Sequence, residues 1–205
     1  HETPAFRQVQ QTAFSHLEFK RELFKQLRQG AIILGLTLFG VVLTYLIYVF
    51  LVTYMSSVLH YTMKEALVVN IVSIALLIIL EPFMGMLADK VGRKPLMTVA
   101  VIGCALWSFP YFFLLQQHSL LFAFVAQIVM TIFGSAYFAI LTVVMVEIVS
   151  VKVRFSAVSF FYALGASLFG GGTPFIATLL IKWTHNYKSV GLYLFVCALI
   201  SLLAV

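Results

Sequence analysis

Between Pro95 and Val146 the chain contains no Asp, Glu, Lys or Arg. A stretch of that length has no charged face to turn toward water, so it cannot lie on the surface of a soluble domain. Comparable uncharged runs occupy 31–59, 155–181 and 190–205, and 66–88 is broken only by Glu81. Of the 205 residues, 62% are hydrophobic and 10% charged, against about 25% charged in an ordinary soluble domain. The chain is therefore not a soluble globular protein, a disordered segment or a nucleic-acid-binding domain. Its solvent is lipid. The apolar runs are continuous rather than alternating, which selects helices over the strands of a membrane barrel.

A helix crosses a bilayer with about 20 apolar residues. The stretch from Pro95 to Val146 is therefore two spans, divided at Gln116-Gln117-His118-Ser119. The runs together predict an all-α integral membrane protein with six crossings, at about 31–59, 66–88, 95–115, 120–147, 155–181 and 190–205. The last run falls short of a full crossing, and the chain opens on His1-Glu2-Thr3-Pro4. The expectation is a piece of a longer polypeptide, with 1–29 a linker and 30–205 a six-helix domain whose last helix is cut. Residues 1–29 mix Leu17, Phe19, Leu23 and Leu27 with charged neighbours. An amphipathic helix on the membrane surface and a plain cytoplasmic linker both fit that pattern.

The net charge of +6 is unevenly placed. Arg7, Lys20, Arg21, Lys25, Arg28, Lys90, Arg93, Lys94, Lys152 and Arg154 fall on one side of the predicted spans. Lys64, Lys182 and Lys188 fall on the other. Basic residues concentrate on the cytoplasmic side, so both ends of the chain are expected in the cytoplasm and the excess charge is an address. Cys104 and Cys197 both lie in apolar runs and form no disulfide framework.

Polar residues inside a span are costly and face a cavity or a neighbouring helix. Asn70, Ser73, Leu77 and Glu81 recur at helical spacing and share one face of the second span. Glu81 is the only acid well inside a span. It is either a proton-binding, coupling carboxylate or a structural acid paired with Arg154 or Arg93. The first span places Thr37, Thr44 and Tyr48 on one face with Tyr45 alongside, and the fourth carries Gln127, Thr131, Ser135 and Thr142 with Tyr137 nearby. These residues either line a substrate cavity or hydrogen-bond between helices.

The densest signal is Gly85-Met86-Leu87-Ala88-Asp89-Lys90-Val91-Gly92-Arg93-Lys94-Pro95. Gly85 lets a neighbouring helix approach closely. Asp89 sits near a helix C-terminus, where its charge opposes the dipole and needs a partner. Gly92 permits the positive φ of a tight turn, Arg93 and Lys94 face the interface, and Pro95 suits the first turn of the next helix.

This turn resembles the G-x-L-A-D-r-x-G-R-k signature of the major facilitator superfamily, where it joins the second and third helices of a six-helix half. Glu2-Thr3-Pro4-Ala5-Phe6 is similar to the central linker of the metabolite:proton symporter branch, which includes proline/betaine transporters. The stretch from Glu147 through Arg154-Phe155-Ser156 to Gly170-Gly171-Gly172-Thr173-Pro174 resembles the region of the tenth and eleventh helices in that branch. The resemblance implies the C-terminal half of a transporter, folded as two inverted three-helix repeats. It implies that Gly85, Asp89, Gly92, Arg93 and Lys94 gate rather than bind. Inverted repeats bring the cytoplasmic turns together, so Glu147 and Arg154 either join Asp89 and Arg93 in one gating charge cluster or are solvated interface charges. It also implies that the first and fourth helices line the central cavity.

No H-E-x-x-H, C-x-x-C or P-loop pattern occurs, and no nucleophile–base pair can be assembled. An enzyme, a metal site and a cofactor are not expected. The expected function is proton-coupled symport of a small organic solute (osmolyte, zwitterion or organic acid) by alternating access in the inner membrane. The expected partners are the N-terminal half or a second copy of this half. The alternative is a non-transporting six-helix membrane module that self-associates or assembles with a partner.

Overall fold

A computed structural model describes residues 25–151, 153–184, 186 and 188–205. Most of the expected 1–29 linker, with Arg7, Lys20 and Arg21, lies outside these residues, as does Lys152. The described chain is helical from end to end, in six spans. These are α1 (Leu27–Val58), α2 (Met63–Val91), α3 (Arg93–Leu115), α4 (Leu120–Glu147), α5 (Arg154–Thr184) and the shorter α6 (Lys188–Ala204). The first five are long and apolar enough to cross a membrane, while α6 has 17 residues. Each falls where the apolar runs place it.

The turns explain the boundaries. Between α2 and α3 a single residue, Gly92, reverses the chain with φ +100°. Its N–H closes the end of α2 on the Ala88 carbonyl at 2.9 Å. A side chain at that φ would be strained, so glycine is required here. At the opposite end of the bundle, Thr62 and Glu65 open α2 with a reciprocal capping box. There His60 and His118 take the left-handed conformation at the two neighbouring turns, with φ 57° and 49°. Beside them the Tyr61 hydroxyl donates to the Leu115 carbonyl at 3.1 Å. Burial and the nearby Glu65 carboxylate push its pKa upward.

The packing exchanges partners between the two halves of the chain. α1 packs on α5 and α6, α4 packs on α2 and α3, and α3 packs on α6. The first helix of each three-helix set thus leans on the second and third helices of the other set. Two inverted three-helix repeats produce this arrangement. Without a hydrophobic drive between helices in lipid, close contact and interhelical hydrogen bonds hold them. Gly165 and Gly170 of α5 press directly on α1. A Cβ on Gly165 would stand 2.9 Å from Thr37 Cγ2, and one on Gly170 would stand 2.6 Å from Val41 Cγ1. The Trp107 indole donates to the Ala126 carbonyl at 3.1 Å, tying α3 to α4.

Two spans are irregular. α1 is π-helical over Tyr45–Phe50 and again over Tyr54–Val58. α5 is α-helical over Arg154–Gly165, π-helical over Ala166–Gly170, turns at 171–172, and resumes over Thr173–Thr184. The Gly170-Gly171-Gly172 run marks that break. Exposure concentrates on α2 and α5, where Ile71, Ile78, Phe83, Phe155, Phe160 and Phe175 are all uncovered.

Candidate functional site

A cavity of about 440 Å³ opens between α1, α2, α4 and α5. α1 contributes Gly40, Val41, Thr44 and Tyr48. α2 contributes Leu77 and Glu81, α4 contributes Phe138, Leu141 and Thr142, and α5 contributes Tyr162. Its walls are apolar and aromatic, its polar groups are hydroxyls, and it holds one carboxylate. Glu81 is half-buried, next to Pro82 inside α2. Proline carries no N–H, so the helix is locally weakened where the acid meets the cavity. No described Lys or Arg forms an ion pair with Glu81: Arg93 bonds Glu147 and Asp89, and Arg154 donates to the Val149 carbonyl at 3.3 Å. Of the two pairings that the sequence leaves open, neither forms.

The polar stripes divide. Thr44 lines the cavity while its hydroxyl bonds back to the Gly40 carbonyl at 2.8 Å. Tyr48 lines it and donates to Thr131 Oγ1 at 3.3 Å, so Thr131 meets the cavity through Tyr48. The other four expected cavity residues are outside the lining. Tyr45 stands against Gly170 of α5. Asn70 donates to the Tyr48 carbonyl at 3.1 Å. Gln127 is fully buried, accepting from the Tyr111 hydroxyl at 2.7 Å and donating to the Ile47 carbonyl at 3.0 Å. Tyr137 is fully buried, donating to the Leu36 carbonyl at 2.6 Å beside Ser201. These three tie helices together. Tyr162 is a lining residue that the polar stripes do not include. It lies three positions before Gly165, on the α5 face that packs against α1, and that shared face is the signal that finds it.

The charged turn forms a second constellation at the Gly92 end of the bundle. Arg93 bonds the Glu147 carboxylate, joining the start of α3 to the end of α4. Its other nitrogen stands 4.0 Å from Asp89. One cation thus bridges two acids that would otherwise repel. Both acids sit at helix C-termini, where the dipole disfavours them. Asp89 stays exposed. Beside it a hollow of about 250 Å³ is lined by Gly85, Ala88, Asp89, Arg93, Ala139, Ile140 and Val143. A Cβ on Gly85 would meet nothing within 4 Å among the described residues. Lys94 is exposed, and Arg154 stands outside the Arg93 cluster. Among the described residues no three His, Cys, Asp or Glu side chains converge.

Residues 33–205 match the sequence profile of the Major Facilitator Superfamily. The chain is 24% identical over 212 aligned positions to the glycine betaine/proline/ectoine/pipecolic acid transporter of Dickeya dadantii, covering 98% of this chain and 42% of that protein. It is 23% identical to the proline/betaine transporter of Escherichia coli, with the same coverage. A putative proline/betaine transporter of Staphylococcus aureus is 27% identical over 164 positions, which is 80% of this chain and 35% of the relative. The chain thus spans less than half the length of these curated relatives.

Proposed function

From a chain that belongs to the Major Facilitator Superfamily, we propose one six-helix half of a secondary transporter, comprising 30–205 preceded by a linker over 1–29, that carries a small organic solute with protons by alternating access. The observation that carries this reading is the cavity itself. Four helices enclose hydroxyls, aromatic rings and a single carboxylate with no cation paired to it among the described residues. A carboxylate in a low-dielectric site can take up and release a proton as its surroundings change. Proton binding then biases the two states through its differential affinity for them.

The solute class comes from the relatives' names: proline, betaines and similar osmolytes are zwitterions. Thr44, Tyr48, Thr142 and Tyr162 offer hydroxyls and ring faces to such a solute, and Glu81 offers the coupling site. Tyr45, Asn70, Gln127, Thr131 and Tyr137 support that wall from behind. The Asp89–Arg93–Glu147 cluster, with Gly85 and Gly92 shaping it and Lys94 and Arg154 flanking it, acts as the gate. The partner is a complementary six-helix half that covers the apolar faces of α2 and α5; a second copy of this chain is the other arrangement. The lysine and arginine bias supports cytoplasmic termini, and the membrane we propose is the inner one.

The test uses proteoliposomes holding this chain with its complementary half and labelled glycine betaine and proline as probes. Uptake should follow an imposed proton gradient and collapse with a protonophore. Uptake that ignores the gradient would remove the proton coupling, and no uptake of any zwitterion would sink the transport reading. The gate has its own test in the same vesicles. Arg93→Glu should lower the uptake rate, because it replaces the bridging cation with a third acid beside Asp89 and Glu147. Adding Glu147→Arg should recover part of it by re-forming the pair in reverse. No recovery in the double variant would deny the pair a gating role.

A further inference from the structure

The π-helical turn Tyr45–Phe50 of α1 carries Tyr48 into the cavity wall. Two consecutive carbonyls of that turn receive side-chain amides from other helices. Gln127 Nε2 of α4 donates to the Ile47 carbonyl at 3.0 Å, and Asn70 Nδ2 of α2 donates to the Tyr48 carbonyl at 3.1 Å. A π turn closes i→i+5 bonds, which are rare and weakly favoured. Its carbonyls have lone pairs to spare for such donors.

Both amides are committed to this task. Gln127 is fully buried and its Oε1 is held by the Tyr111 hydroxyl at 2.7 Å, so its partner on α3 fixes the direction in which Nε2 points. Asn70 gives its donor to α1, and its buried Oδ1 has no partner among the described residues. The bond to the Tyr48 carbonyl is thus its interhelical connection. One turn along α4 from Gln127, Thr131 Oγ1 accepts from the Tyr48 hydroxyl at 3.3 Å. The backbone and the side-chain tip of Tyr48 are therefore both tied to neighbours.

We infer that Asn70 and Gln127 are positioning residues: they clamp the π turn of α1 from two sides and so set where Tyr48 stands in the cavity wall. The inference rests on the reading of that cavity as the solute site. It assigns to the two amides a role through the α1 backbone and not through contact with solute.

Hydrogen exchange of the protein in lipid nanodiscs tests the clamp without any transport. In Gln127→Leu, exchange of the amides over 45–53 should rise about tenfold, as for a local opening, with α6 unchanged. Asn70→Leu should act on the same amides. No change over 45–53, or a rise spread evenly through all helices, overturns the clamp. In the transporting vesicles, Gln127→Leu should raise the KM for glycine betaine about fivefold with a smaller effect on kcat. In a Tyr48→Ala background the same substitution should add little, because residues acting through one another are not additive. Full additivity would overturn the positioning role. A clamp seen by exchange beside vesicles that never transport would count against the transport reading alone.

Discussion

Glu81→Gln is expected to leave the six helices packed and to abolish proton-driven accumulation of solute. The substitution keeps the size and the hydrogen-bonding shape of the side chain. It strands no partner, since no described cation pairs with Glu81. What it removes is the capacity to gain and lose a proton inside the cavity. If the carboxylate couples proton to solute, the gradient no longer does work on the solute in the variant, and the inside concentration falls to the equilibrium level. Exchange of solute across vesicles without a gradient should persist, because the hydroxyl and aromatic walls remain. The measurement is labelled glycine betaine in vesicles with and without an imposed pH difference. Undiminished accumulation in the variant would remove Glu81 as the coupling site.

The second large effect is on stability. Gly170→Ala should lower the unfolding midpoint in detergent, whereas Gly171→Ala should leave it unchanged or slightly raised. At 170 a methyl group would stand 2.6 Å from Val41 Cγ1 and 3.0 Å from Tyr45 Cε2. Val41 is β-branched and fixed on a helix, so it cannot swing away. Overpacking of this kind costs about 1–3 kcal/mol. At 171 a methyl group would meet nothing within 4 Å, and the backbone is already right-handed helical, with φ −61°. There alanine only reduces the freedom of the unfolded chain, worth about 0.4–1 kcal/mol in its favour. Equal midpoints for the two variants would show that the α1–α5 seam is looser than its geometry.

Glu81 and Gly170 are revealed at different levels of structure. Glu81 stands out in the primary structure, as the one acid in the run 66–88, and any reading of the chain would select it. Gly170 and Gly171 are neighbours of the same type, and nothing in the sequence separates them. Only the approach of α1 does. The same holds for the stripe of polar residues on α1 and α4. Tyr48 and Gln127 fall on helical spacing alike, yet Tyr48 lines the cavity while Gln127 bonds a backbone carbonyl behind it. Arg154 and Arg93 look equally able to answer Glu147, and the structure gives it Arg93 alone among the described residues.

The reason lies in what each level can encode. Helix existence and extent depend on hydropathy and turn chemistry. These are written locally, in the uncharged runs, in Gly92 and in the capping pair Thr62–Glu65. The sequence by itself therefore determined a six-span helical membrane protein, its turns and the place of its charged motif. Which side of each helix meets the cavity depends on rotation about the helix axis, which polar spacing does not fix: α4 is a regular α-helix, yet Gln127 and Tyr137 face neighbouring helices and not the cavity. Each residue advances an α-helix by about 100°, so the wider turn at Tyr45–Phe50 shifts the phase of every later residue in α1. Lipid adds no correction, because it solvates one apolar face as well as another. Tertiary packing alone decided that Tyr162 joins the cavity, that Tyr137 and Gln127 stay behind it, and that Arg93 holds two acids at once.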